Sequence, residues 1–103
     1  MKKYDKLIRD RIPGIIKESG KEYEVEVMDE VEYKSYLKKK LLEEVNEYIE
    51  SEEVEELADI LEVMYAIIDL KEVTLEEVDK IRSEKVEKRG GFKERLKLLK
   101  VYD

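Results

Sequence analysis

Two short acidic clusters carry the chemistry this chain could do: Glu43, Glu44 and Glu47, then Glu56 and Asp59. The i,i+3 spacing of Glu44 with Glu47, and of Glu56 with Asp59, puts both members of each pair on one face of a helix. Carboxylates held within a few Å of one another cannot all ionise cheaply, so protons or a cation must relieve the repulsion. The sequence has no Cys and no His. A metal site would therefore use oxygen ligands alone, which favours Mg2+, Mn2+ or Ca2+ over Zn2+ or Cu2+. The same absence excludes disulfides and nucleophilic Cys–His or Ser–His pairs. Carboxylate-held Mg2+ with basic residues nearby suits a phosphoryl or pyrophosphoryl substrate, because the metal neutralises phosphate charge and can present a water to phosphorus.

The clusters must be brought together by the elements that carry them. Asp29 followed by Glu32 is a capping-box pattern opening a helix expected over 30–50. Ser51 can cap a further helix over about 52–70. With almost nothing between them, the two should form an antiparallel hairpin, in which residues equally far from the bend lie opposite one another. Glu47 then faces Glu56, and Glu44 faces Asp59 one turn further from the bend. On the second helix Leu57, Leu61, Met64 and Ile68 make one apolar stripe at about 100° per residue, and Ile60, Val63 and Ile67 make another beside it. The extra stripe could pack on other helices of the same chain or on a second chain. Glu62 falls on the far side, as plain surface. Glu43 points nearly opposite the stripe of its own helix and reaches the site only if another helix or a second subunit covers that face.

Charge is segregated along the chain. Residues 41–70 hold eleven acids and no Lys or Arg, while residues 80–100 hold nine bases and three acids, within an overall net charge of −7. Helical surfaces usually mix the signs, since each i,i+4 Glu–Lys pair contributes about 0.2–0.5 kcal/mol. Thirty residues without a base forgo that gain. Two explanations stand: an acidic solvated face neutralised by a basic helix elsewhere, or a cation site.

The remaining elements are smaller. Pro13 suits a helix entry and Gly20 its exit, giving a helix over 13–19. Residues 22–28 alternate polar and apolar, the pattern of a short extended segment. Thr74 with Glu77 is a second capping box, opening a helix at Leu75 that Gly90 and Gly91 end. A basic tail follows from Phe92, with room for a short helix over 96–99. The expectation is a single all-α domain over 1–103: a helical bundle whose antiparallel hairpin carries the acidic site, plus a short extended segment near the N-terminus.

The motifs resemble a known family. Glu43-Glu44-Val45-Asn46-Glu47 with Glu56-Leu57-Ala58-Asp59 is similar to the Glu-Glu-x-x-Glu … Glu-x-x-Asp signature of the all-α nucleoside triphosphate pyrophosphohydrolase superfamily, which includes MazG proteins and phosphoribosyl-ATP pyrophosphohydrolase. The opening Lys6-Leu7-Ile8-Arg9-Asp10-Arg11-Ile12-Pro13 and the late Glu87-Lys88-Arg89-Gly90-Gly91-Phe92 resemble a small subgroup often called phosphoribosyl-ATP pyrophosphohydrolase-like. The resemblance implies Mg2+ (or Mn2+) bound at Glu44, Glu47, Glu56 and Asp59, and cleavage of a nucleoside triphosphate between its α- and β-phosphates. It implies for Glu43 a second metal or the positioning of the attacking water, and for the protein a homodimer or homotetramer. The interval between the acidic motifs is shorter than in typical MazG or histidine-pathway members, which favours a house-cleaning nucleotide pyrophosphatase over a histidine-biosynthesis role.

Arg9, Arg11, Lys85 and Arg89 are the candidate phosphate contacts, Arg being suited to bidentate binding of phosphate. Arg9, Asp10 and Arg11 could equally knot the N-terminus to the bundle by ion pairs, and Gly90-Gly91 reads first as a helix stop. A non-catalytic nucleotide- or metal-binding regulator, or an acidic interaction module, would use the same features. Nucleic acid is an improbable partner, since the acidic helices repel phosphate. No apolar run approaches the ~20 residues of a membrane span, so a cytoplasmic protein is expected. Gln is absent and Asn occurs once, a composition that fits a thermophile.

Overall fold

A computed structural model describes all 103 residues. Four helices follow one another: α1 (Ile12–Glu18), α2 (Glu30–Ser51), α3 (Val54–Leu70) and α4 (Leu75–Arg89). There is no strand, and the chain is all-α.

Local chemistry sets most of these boundaries. Pro13 lies in the first turn of α1, where its missing N–H costs nothing. The Asp29 carboxylate accepts the Glu32 N–H at 2.8 Å and so caps α2. Thr74 Oγ1 does the same for Glu77 at the start of α4, at 3.0 Å. Past α4, Gly90 takes φ +79° and donates its N–H to Val86 O at 2.7 Å, a left-handed φ that glycine adopts without strain.

Three expectations are corrected. Ser51 is the last residue of α2 and does not cap α3; its hydroxyl accepts the Glu53 N–H at 3.2 Å. The left-handed conformation (φ +57°) falls instead on Glu52, whose N–H closes α2 on Tyr48 O at 2.7 Å. Residues 22–28 alternate as expected but form no strand, and Val25 and Val27 stay exposed. Their alternation would need an edge to lie against, and the chain offers none. No helix forms over 96–99 either: after a turn closed by Arg95 N–H on Phe92 O, the tail has no regular structure and every residue is exposed.

The core sits between α2 and α3, which pack against each other, while α4 makes only slight contact with α3 and α1 packs on no other helix. Leu37 of α2 is 2% exposed and Val63 of α3 is 8% exposed; the third buried residue in the whole chain is Glu44, at 7%. The result is an elongated molecule of 63 × 32 × 24 Å. With so thin a core, capping contributes a large share of helix stability. Asp29→Ala should destabilise the chain by about 1 kcal/mol in urea unfolding at fixed protein concentration, and Asp29→Ser by much less; equal losses would show that the cap is not what Asp29 supplies.

Candidate metal centre

Five carboxylates gather along the α2–α3 seam, with Glu44 at their centre. Glu43, Glu44 and Glu47 can each offer an oxygen within 4.8 Å of the other two, and so can Glu44, Glu56 and Asp59. Each pair's i,i+3 spacing accounts for its common face. Packing α2 on α3 accounts for the meeting of the two sets. Glu44 is the member they share. The expected register is adjusted in detail: Glu44 converges with both Glu56 and Asp59, while Glu47 groups with Glu43 and Glu44 at the exposed edge.

Two bases reach the patch. Arg9, from the segment before α1, binds Asp59 Oδ1 at 2.8 Å. Lys40 places Nζ 3.4 Å from Glu44 Oε1 and 3.6 Å from Glu43 Oε1. Lys40 stands just outside the base-free stretch of residues 41–70, and its i,i+3 and i,i+4 relation to the two acids was the signal that could have included it. The N-terminal arm is held over the same region by a second tie, in which the Tyr36 hydroxyl donates to the Asp5 carboxylate. Arg11, Lys85 and Arg89 make no ion pair and are exposed. The structure therefore brings Arg9 to the carboxylates and leaves the other three candidate phosphate contacts apart from them.

The electrostatics single out Glu44. Its Oε1 faces Lys40, but its Oε2 is buried with no hydrogen-bond partner. A buried polar atom without a partner is uncommon and costly. Burial first, then the adjoining Glu47 carboxylate, push the Glu44 carboxyl above its ordinary value of 4.5, with Lys40 opposing. An all-oxygen donor set with one unpartnered buried oxygen fits a hard divalent cation, which would compensate that oxygen and the repulsion together.

Comparison with known protein families, with curated proteins and with solved structures finds no match to this chain. The site must be read from its own geometry.

A carboxyl whose pKa is higher folded than unfolded binds more protons in the folded chain. The stability it contributes is present in full below pH 4.5 and is lost as the pH rises through the raised folded value. With chelator present, wild type should show this loss in urea unfolding and Glu44→Gln should not. Saturating Mg2+ should cancel it in wild type, because cation and proton compete for the same oxygens. Identical profiles for the two proteins would contradict an ionisable, buried Glu44.

Proposed function

We propose that this chain is a Mg2+-dependent nucleoside triphosphate pyrophosphohydrolase, releasing a nucleoside monophosphate and pyrophosphate. The observation that carries the reading is the buried Glu44 carboxylate, whose unpartnered Oε2 lies in a cluster with Glu56 and Asp59. The resemblance of the acidic motifs to the all-α pyrophosphohydrolases supplies the reaction.

In this reading α2 and α3 form an antiparallel hairpin bent at Glu52 and Glu53, and Glu44, Glu47, Glu56 and Asp59 hold the cation. A divalent cation held there would neutralise triphosphate charge and lower the barrier to attack by water. Glu43, half-buried at the edge of the cluster, orients that water and accepts its proton. The water oxygen joins phosphorus at the α–β anhydride, the bridging P–O bond breaks, and the electron pair leaves with pyrophosphate. Arg9 pairs with Asp59, beside the carboxylates, where its guanidinium would contact a phosphate oxygen of the substrate. Arg11, Lys85 and Arg89 are the remaining candidate phosphate contacts. The protein works in the cytoplasm as a homodimer or homotetramer, and house-cleaning of nucleotides suits it better than phosphoribosyl-ATP hydrolysis.

A panel of NTPs and dNTPs, assayed for pyrophosphate with Mg2+, Mn2+ or chelator, tests the proposal. Metal-dependent release is expected from at least one nucleotide. Glu56→Gln and Asp59→Asn should each reduce it by more than the ~10–100-fold typical of groups behind the ligands. Activity unchanged in both variants would sink the assigned site. A metal- or nucleotide-induced rise in melting temperature with no pyrophosphate from any substrate would instead identify a binding regulator.

A further inference from the structure

Two groups of carboxylates meet at Glu44, and they are not equally supplied with positive charge. Glu43, Glu44 and Glu47 form one group; Glu44, Glu56 and Asp59 form the other. The first already holds a cation of the chain's own. Lys40 Nζ stands 3.4 Å from Glu44 Oε1 and 3.6 Å from Glu43 Oε1, so one ammonium serves two carboxylates. The second group has only Arg9, which binds Asp59 and pairs with neither Glu44 nor Glu56.

The two bases are also held differently. Lys40 lies one turn before both of its acids on α2, so the helix itself fixes it beside them, and its side chain is only 17% exposed. Arg9 reaches in from the arm ahead of α1, 50 residues from Asp59 in the chain, and 58% of its side chain is exposed. If Lys40 swung out to water, Glu44 Oε1 would lose its partner where Oε2 already has none. Stranding both oxygens of a buried carboxylate is costly. Lys40 is therefore the fixed base of the cluster and Arg9 the replaceable one.

A fixed ammonium also defends its position. Like charges repel strongly where little water lies between them, so a divalent ion entering the Glu43–Glu44–Glu47 group has to stand beside Lys40 or displace it. No such base guards the meeting point of Glu44, Glu56 and Asp59. Glu47, which makes no ion pair, stays free to join an ion there.

We infer that Lys40 is the built-in cation of the Glu43–Glu44–Glu47 group and limits the seam to a single divalent ion, taken up where Glu44 meets Glu56 and Asp59. The inference rests on the functional reading for the presence of an ion and adds its number and its place. It also leaves Glu43, held by the ammonium, to the attacking water and not to a second metal.

Mn2+ alone is the probe, kept below the level that fills exposed carboxylates. Electron paramagnetic resonance of the wild-type chain should count one bound Mn2+ per chain, with the spectrum of an isolated ion. Lys40→Met removes the charge and should admit a second ion. Two ions sharing Glu44 would lie close enough to couple magnetically, so the spectrum should broaden as the count doubles. Lys40→Arg keeps the charge and should return the count to one. A coupled pair in wild type would overturn the inference, as would a single ion in folded Lys40→Met. Where Lys40→Met fails to fold, lysine acetylation of the wild-type chain, read residue by residue by mass spectrometry, decides. Lys40 should stay less reactive than the exposed Lys38 and Lys39 with and without saturating Mg2+. A Lys40 that becomes as reactive as those two when Mg2+ is added has been displaced by the ion, and the inference fails. No bound Mn2+ at all would sink the metal reading together with this inference, whereas two ions in wild type would sink the inference alone.

Discussion

The Glu44 carboxylate, held against the seam of two helices, is the constraint around which the rest of this molecule is arranged. A charge placed there is stabilised only by partners of opposite sign or by a proton. Lys40 satisfies one oxygen from within α2. The other faces no donor at all. Glu56 and Asp59 add negative charge at the same point, and Arg9 is drawn across from the N-terminal arm to Asp59. The seam is thus held by Leu37 and Val63 and strained electrostatically by its acids. A chain with only three buried residues has little stability to spend on an idle buried charge.

The same thinness of core governs the rest of the architecture. A 15-residue helix such as α4 is marginal in water by itself, and its Thr74 cap and glycine stop define its ends without giving it a face to lie on. Its bases therefore do not neutralise the acids of α2 and α3 within the chain. Neutralisation falls to Lys40 and Arg9, two residues from quite different parts of the sequence. The alternating segment 22–28 and the basic tail share this condition. Each has a pattern that could pack, and each remains open for want of a surface.

Legibility in the sequence followed the range of the interaction involved. The Asp29 and Thr74 caps, the Pro13 entry and the Gly90 stop act over three or four residues, and each was readable because the donor and acceptor lie within that reach. Ser51 misled because it is as good a hydroxyl for the end of one helix as for the start of the next. Glu52 took the bend in its place, and a left-handed Glu leaves no compositional mark. Residues 22–28 misled for a different reason: alternation records what a strand could bury, and a strand also needs a neighbour.

For the candidate site, residue types and spacing determined which acids share a face, that any cation would meet oxygen alone, and that two acidic pairs could meet across a short bend. The burial of Glu44 was not written there, since Glu43 and Glu44 are the same residue one position apart, and only the 100° between them separates a half-buried rim from the seam. Tertiary structure alone decided that Glu44 joins both groups, that Lys40 and Arg9 are the bases present, and that α4 stands away. The physical reason is range. A helix's periodicity fixes angles within itself, but which of those angles meets another helix, and which meets water, is set by packing across the chain.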